Sequence, residues 1–403
     1  MPTLTLSDLH AWLEQARRRG PAYYDDERRC CTVLGHPEIV AVLADTATFS
    51  SDLGDLLPRQ EDLELFQRGN FVRMDPPRHD TLRRLVSQAF TPRTVAGLAP
   101  RIAEVTTGLL DARAGERRID LIEDLAYPLP VIVIAELLGI PAADRPLFRT
   151  WADRLFERSE AGPDESLPPL TSREAVDAVA PAFREMNAYL LEHIRARRTG
   201  PGEDLIGRLV LAEADGDRLS DEEIVGFAGL LLLAGHITTT ATLGNTVQCL
   251  DAHPDDAAEV RADRSLLPGA IEEVVRLYTP FPRLARRTNT GAMVGETAVP
   301  AGAVVITWLA AANRDERVFA DPARFDPRRA PNPHLGFGHG LHFCLGAPLA
   351  RLEARIAMDI LLDRYDDITI DATEPAEFRN PWVMVSPTRL PVAVTASRAA
   401  AAR

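Results

Sequence analysis

Cysteine is scarce in this 403-residue chain: Cys30, Cys31, Cys249 and Cys344 are the whole complement. They are too few and too scattered for the disulfide framework of a secreted protein, so reduced thiols are expected. Positive charge is also in deficit, with 45 Lys plus Arg against 59 Asp plus Glu and a net charge of −14. A field of that sign repels nucleic acid and anionic lipid, so no nucleic-acid partner and no membrane are expected. Asp8 and Glu14 interrupt the N-terminal stretch where a signal peptide needs an apolar core, which points to a cytoplasmic protein. No Gly/Ser-rich linker, composition break or internal repeat lies between residues 10 and 395. Residues 1–395 therefore read as one domain, and 396–403, small or basic, as a flexible tail.

A hydrophobic content of 46% with 26% charged residues supplies a large core. Helical periodicity runs through 81–90, 95–113, 128–139, 174–198, 221–251, 267–278 and 347–365. A hairpin is expected over residues 20–36 around the charged turn Asp25 to Arg29, and strands at 298–306 and 382–394. Ser220 and Glu223 form a capping box at the head of the longest helix. Its apolar run, Phe227 to Ala234, invites a membrane reading, but Gly235, His236 and Thr238 to Thr240 break it short of the roughly 20 residues a span requires.

The most informative stretch is FGHGLHFCLGAPLARLE, Phe337 to Glu353. A glycine-rich loop leads through Cys344 into a helix, where backbone N–H groups and the positive dipole end favour a thiolate, the metal-binding form. Pro348 in the first turn and Arg351 and Arg355 beyond it fit that helix. Gly338, Gly340 and Gly346 allow the backbone to approach a flat cofactor. Spacing alone leaves rivals open. His339, His342 and Cys344, with His334 nearby, could ligate zinc, or Cys344 could be an inert core cysteine.

The order Phe-Gly-x-Gly-x-His-x-Cys-x-Gly, complete from Phe337 to Gly346, resembles the haem-ligand signature of the cytochrome P450 family. The resemblance implies a mainly α fold with a small β-rich lobe, a long central helix over the haem and a cysteine loop beneath it. It also implies haem b (iron protoporphyrin IX) ligated by Cys344 and packed on Phe337, Gly338 and Gly346, O₂ as co-substrate, and insertion of one oxygen atom into a small apolar molecule. Met74 to Arg93 is similar to the family's haem-propionate helix, with His79 and Arg83 four residues apart on one face. Arg283 and His342 match the other propionate contacts. Glu273 and Arg276, with Arg324, resemble the family's Glu-Arg-Arg triad, a structural group in which a stranded charge costs about 3–5 kcal/mol.

Leu230 to Thr240, LLLLAGHITTT, is similar to the family's oxygen-binding segment, with Ala234, Gly235 and Thr238 in place. The Thr238 hydroxyl can bond the Ala234 carbonyl one turn back and bend the helix. Gly235 removes a side chain that would meet bound oxygen. The departure is Ile237, where the family usually carries an acid. His236 lies roughly 200° around the helix from Thr238 and faces away, so it is no substitute. Protons are expected to arrive through Thr238 and ordered water, with help from a polar group of the substrate.

No flavin or nicotinamide fingerprint follows a strand, so the resemblance implies an outside ferredoxin and ferredoxin reductase as electron donors. Arg78, Arg84, Arg351 and Arg355 are expected to make a basic patch for it on the cysteine side. By the same resemblance the substrate touches Phe71, Val72, Leu231, Ile237, Phe281 and Met384, with residues 155–190 and Trp382 to Val385 nearby. A tailoring hydroxylation or epoxidation in secondary-metabolite biosynthesis, by a monomeric enzyme, is the expected role. Peroxide-driven turnover, oxidative coupling and a non-catalytic haem sensor stand as alternatives.

Overall fold

The computed structural model describes residues 4–56, 58–156, 172–214 and 216–397. Part of the stretch 155–190 and most of the tail 396–403 lie outside them. The chain is mainly helical. Its axis is the helix Asp221–Ala252, 32 residues capped as the sequence predicts, with the Ser220 hydroxyl accepting from the Glu223 N–H and the Glu223 carboxylate accepting from the Ser220 N–H. At about 1.5 Å per residue it is some 48 Å long and crosses the whole core. This helix is long and apolar enough to span a bilayer, yet 78% of its most apolar window is buried inside the protein.

Other helices wrap it. Pro128–Leu138, Arg173–Thr199, Leu267–Leu277 and Ala347–Arg364 match the periodic segments. The predicted helix over 95–113 is divided into Pro92–Gly97 and Ala99–Asp111, because Pro100 at the head of the second has no N–H to continue the first. Glu61–Gln67 leads into Gly69, where the chain crosses the central helix backbone to backbone. A Cβ on Gly69 would run into the Glu223 carbonyl, and one on Gly226 into the Gly69 N–H. Leu6–Arg17, His36–Ala44, Arg145–Phe156, Leu205–Leu211 and Pro254–Ala262 are helices that periodicity did not single out.

The β-rich lobe centres on a five-stranded sheet in the order Ala22–Asp25, Cys30–Val33, Val304–Thr307, Leu284–Thr288, Phe49–Ser50. The first pair is the predicted hairpin, Ala22 opposite Val33. Val304–Thr307 adds to it in parallel and Leu284–Thr288 then pairs antiparallel. The expected strand over 382–394 is shorter. Residues 381–383 form a turn, with the N–H groups of Val383 and Met384 both on the Asn380 carbonyl, and strands follow at Pro387–Arg389 and Pro391–Ala396.

The main hydrophobic cluster draws residues from Leu63 to Val394, and two smaller clusters sit under the sheet. The chain contains no lysine, so all 45 of its Lys/Arg cations are guanidinium groups. Their planar forks suit the paired contacts described below.

Candidate active site

Cys344 lies between the short turn Gly340–His342 and the helix Ala347–Arg364. Its N–H donates to the Phe337 carbonyl at 2.9 Å, which closes the loop on itself. Gly338 and Gly340 take positive φ of 73° and 67°, values at which a side chain would be strained. The sulfur is exposed, yet enough protein surrounds it that burial pushes the thiol pKa up. Both facts suit a side chain that opens on an internal cleft. The N–H groups of Gly346 and Ala347 and the guanidinium groups of Arg83 and Arg351 pull the other way and favour thiolate.

Next to the loop, buried donors gather without protein partners. Among the described residues, His79 Nε2, Arg83 Nη1 and both ring nitrogens of His342 have none. The two imidazoles meet edge to face with centroids 4.6 Å apart. Asp80 holds His79 Nδ1 at 3.0 Å, and Arg83 Nη2 donates to the Phe343 carbonyl at 2.8 Å, beside Cys344. Burial, with Arg286, His79 and Arg83 close by, holds the His342 pKa down to about 3. Arg283 lies over the Trp308 indole, 5.2 Å from its centroid. Buried donors are normally satisfied. A set aimed at one corner beside a thiol fits a planar cofactor with carboxylates at one edge and a metal at its centre, as haem has. The zinc reading has no such support, since His334 goes to Glu272 at 2.9 Å and His342 packs on His79.

On the central helix, Leu230, Ala234, Gly235 and Thr238 are partly exposed within an otherwise buried stretch. Residues 230, 234 and 238 recur every fourth position and form one face. The Thr238 hydroxyl donates to the Ala234 carbonyl at 2.8 Å, as the sequence predicts, and Thr239 and Thr242 make the same backward bond at 3.1 and 2.9 Å. The helix nonetheless continues unbroken to Ala252. At Gly235 a Cβ would first meet Ile134 of the neighbouring helix, at 2.9 Å, so this glycine also serves helix packing. His236 turns away from that face: its Nδ1 lies 2.6 Å from the Leu232 carbonyl, its ring packs on Tyr127, and burial lowers its pKa to about 4.

The triad requires a correction. Glu273 and Arg276, both 0% exposed, pair through two bonds of 2.6 and 2.7 Å. The second arginine on Glu273 is Arg329, at 2.8 Å, and not Arg324. Arg324 supplies its backbone carbonyl, to Arg276 Nη2 at 3.0 Å. Arg276 Nη1 also gathers the Asn313 and Pro322 carbonyls, so this one buried pair fastens the segment ahead of the cysteine loop.

The residues expected to touch substrate differ in their exposure. Met384 is 0% exposed, while Val383 beside it is partly open. Leu231 and Ile237 sit in the main cluster, and Leu230 takes the open face. Phe71 is buried between His79 and Phe227, Val72 is 41% exposed, and Phe281 is partly buried. The basic patch also loses members. Arg78 pairs with Glu223 and Arg351 forks onto Glu272 at 2.7 and 2.8 Å. An open surface cleft of about 520 Å³ lined by residues within 91–102, 133–137 and 203–208 shares no residue with this site.

With this geometry in hand, comparison with known proteins is specific. The sequence model described as Cytochrome P450 matches residues 22–394. The chain is 45% identical over 375 residues to the cyclomarin C epoxidase CymV of Salinispora arenicola, covering 93% of each protein. It is 43% identical to the erythromycin C-12 hydroxylase of Saccharopolyspora erythraea, covering 94% of this chain and 93% of that one. Among solved structures, HmtT, involved in himastatin biosynthesis, superposes with a TM-score of 0.85 at 48% identity, covering 95% of this chain and 96% of that one.

Proposed function

Because this chain belongs to the cytochrome P450 family and is a haem-thiolate monooxygenase, we propose that Cys344 is its axial ligand and that it performs a tailoring hydroxylation or epoxidation on a mid-sized, largely apolar natural product. Bound haem supplies the activation of O₂ and the transfer of one oxygen atom to carbon. The observation that carries the residue assignment is the convergence of unpartnered buried donors, His79, Arg83 and His342, beside the Cys344 loop. Those groups hold and orient the carboxylate edge. The N–H groups of Gly346 and Ala347 favour the thiolate against the burial that opposes it. Thr238 carries a hydroxyl proton on the open face of the central helix, and Leu230, Ala234, Val383 and Phe281 provide apolar wall that excludes water.

The substrate class rests on likeness. Relatives at 43–45% identity are a cyclomarin C epoxidase and an erythromycin C-12 hydroxylase. Electrons come from redox partners, and a ferredoxin with its reductase is the proposed pair. Arg84 and Arg355, both exposed, are proposed for docking. We place the enzyme in the cytoplasm as a monomer. The test is turnover with a surrogate ferredoxin, its reductase and NADPH against a panel of macrolides and cyclic peptides. A substrate-induced Soret shift with a product one oxygen heavier supports the class, and binding confined to small fatty acids or terpenes refutes it.

Ile237 favours one second reading. With no carboxylate beside Thr238 to relay protons, hydrogen peroxide could replace O₂ and the electron donors, and product formation with peroxide alone at rates matching the ferredoxin system would establish it.

A further inference from the structure

The surface cleft of about 520 Å³ is walled by Thr91 and the short helix Pro92–Gly97, by the helices Ala99–Asp111 and Pro128–Leu138, and by the residues that open the helix Leu205–Leu211. Its volume falls in the range of roughly 300–1,000 Å³ that small-molecule sites occupy. Ile102, Val133, Leu137 and Leu205, buried members of the main hydrophobic cluster, make an apolar floor. The charged groups at its rim are unevenly spent. Arg101 pairs with Glu104 and Glu136 at 2.7 Å each, and Arg145 adds to Glu136 at 2.9 Å. Asp204 takes Arg197 at 2.9 Å and caps its own helix through the Gly207 N–H at 2.8 Å. Arg93 and Arg208 differ. Both are exposed, and Arg93 has no hydrogen-bond or ion-pair partner among the described residues. Arg208 bonds only neutral acceptors, with Nε on the Glu203 carbonyl at 3.0 Å and Nη1 on the Thr94 hydroxyl at 3.2 Å.

We infer that this cleft is a second ligand site, for a small molecule with an apolar body and one carboxylate, separate from the pocket over Cys344. With Arg101, Glu136 and Asp204 neutralised by their own partners, the charges left at the rim are Arg93 and Arg208 against the single carboxylate of Glu203. One positive charge remains. That balance suits a monoanion, whereas a dianion such as a phosphate monoester would be opposed by Glu203. A guanidinium presents the planar pair of donors that the two oxygens of a carboxylate accept, and it stays charged at any ordinary pH. The floor supplies the other half of the recognition, because an apolar body laid on it leaves water at little polar cost. Gly97 keeps the mouth open: a Cβ there would find no atom within 4 Å. Since the cleft shares no residue with the set around Cys344, its occupant is not the substrate in another pose.

The test titrates biphenyl-4-carboxylate calorimetrically into the holoenzyme, with saturating 4-phenylimidazole keeping the probe out of the haem pocket. One equivalent is expected to bind at low salt with a Kd on the order of 0.1–1 mM. The neutral isostere, biphenyl-4-carboxamide, should bind about tenfold more weakly, the scale of one charge-assisted hydrogen bond. Arg93→Gln and Arg208→Gln should each weaken the acid by roughly three- to tenfold and leave the amide unchanged. Glu203→Gln, which removes the opposing carboxylate, should tighten the acid by a similar factor. Gly97→Trp, which fills the mouth, should abolish binding of both probes. All four positions are exposed, and haem content with the Soret spectrum reports that each variant is intact. Equal affinity for acid and amide would overturn the inference, as would an acid affinity that neither arginine variant changes. A wild type that takes up no acid once the haem pocket is filled would also overturn it.

Discussion

Arg329 Nε reaches Glu273 Oε1 at 2.8 Å, on a carboxylate that Arg276 already grips with two nitrogens. The Asp326 N–H and Asn332 Nδ2 complete its coordination at 3.2 Å each. The carboxylate is thus shared between a helix and the loop that precedes the cysteine, and its second arginine is a structural part.

Arg329→Ala should therefore destabilise the protein by about 2–3 kcal/mol, the cost of removing a buried charged hydrogen bond. Arg324→Ala, which keeps the backbone carbonyl that matters, should cost less than about 0.5 kcal/mol. Urea unfolding of the two variants checks the difference, and equal losses would restore Arg324 to the triad.

Glu353 is 1% exposed, and neither of its carboxylate oxygens has a partner among the described residues. Burial raises its pKa from 4.5 to about 8, so the folded protein keeps it protonated at pH values where the unfolded chain ionises it. The sign follows from linkage: stability from this group is complete below about 4.5 and falls as pH rises towards 8. Glu353→Gln should gain on the wild type by on the order of 3 kcal/mol between pH 5 and pH 8. Thermal unfolding at both pH values measures it, and a constant difference would show that Glu353 has an ordinary pKa.

Thr238→Ala removes the hydroxyl donated to Ala234 on the open face of the central helix. NADPH consumption should continue while product per NADPH falls about a hundredfold, the low end for loss of a proton-transfer group. Thr238→Ser should recover most of the coupling. Unchanged coupling in the alanine variant would mean that protons bypass position 238.

The sequence was most readable where chemistry and chain order coincide. The cysteine loop is contiguous, and its glycines, His342 and Cys344 sit together because they are neighbours in the chain. The central helix announced itself through Ser220 and Glu223. The fork of Arg276 on Glu273 followed from their i, i+3 spacing. Choosing between Arg324 and Arg329 did not, because the path of an irregular loop decides which side chain returns to Glu273. On the central helix Leu230 is partly exposed and Leu231 buried, a one-residue phase that helical periodicity alone does not resolve in so uniformly apolar a run. The strand Leu284–Thr288, reading LARRT, hides behind charge, and with it the buried Arg286. The helix Leu6–Arg17 begins on a capping box of Thr5 and Asp8, a signal present in the sequence itself.

The central claim is that Cys344 ligates haem iron as a thiolate. The most direct measurement is the absorption spectrum of the purified protein reduced with dithionite under carbon monoxide, taken for the wild type and for Cys344→Ser. A strongly red-shifted Soret band is expected in the wild type and is expected to be absent from the serine variant. A haem-free wild type after expression with ample haem, or a red-shifted band that survives in Cys344→Ser, would contradict it.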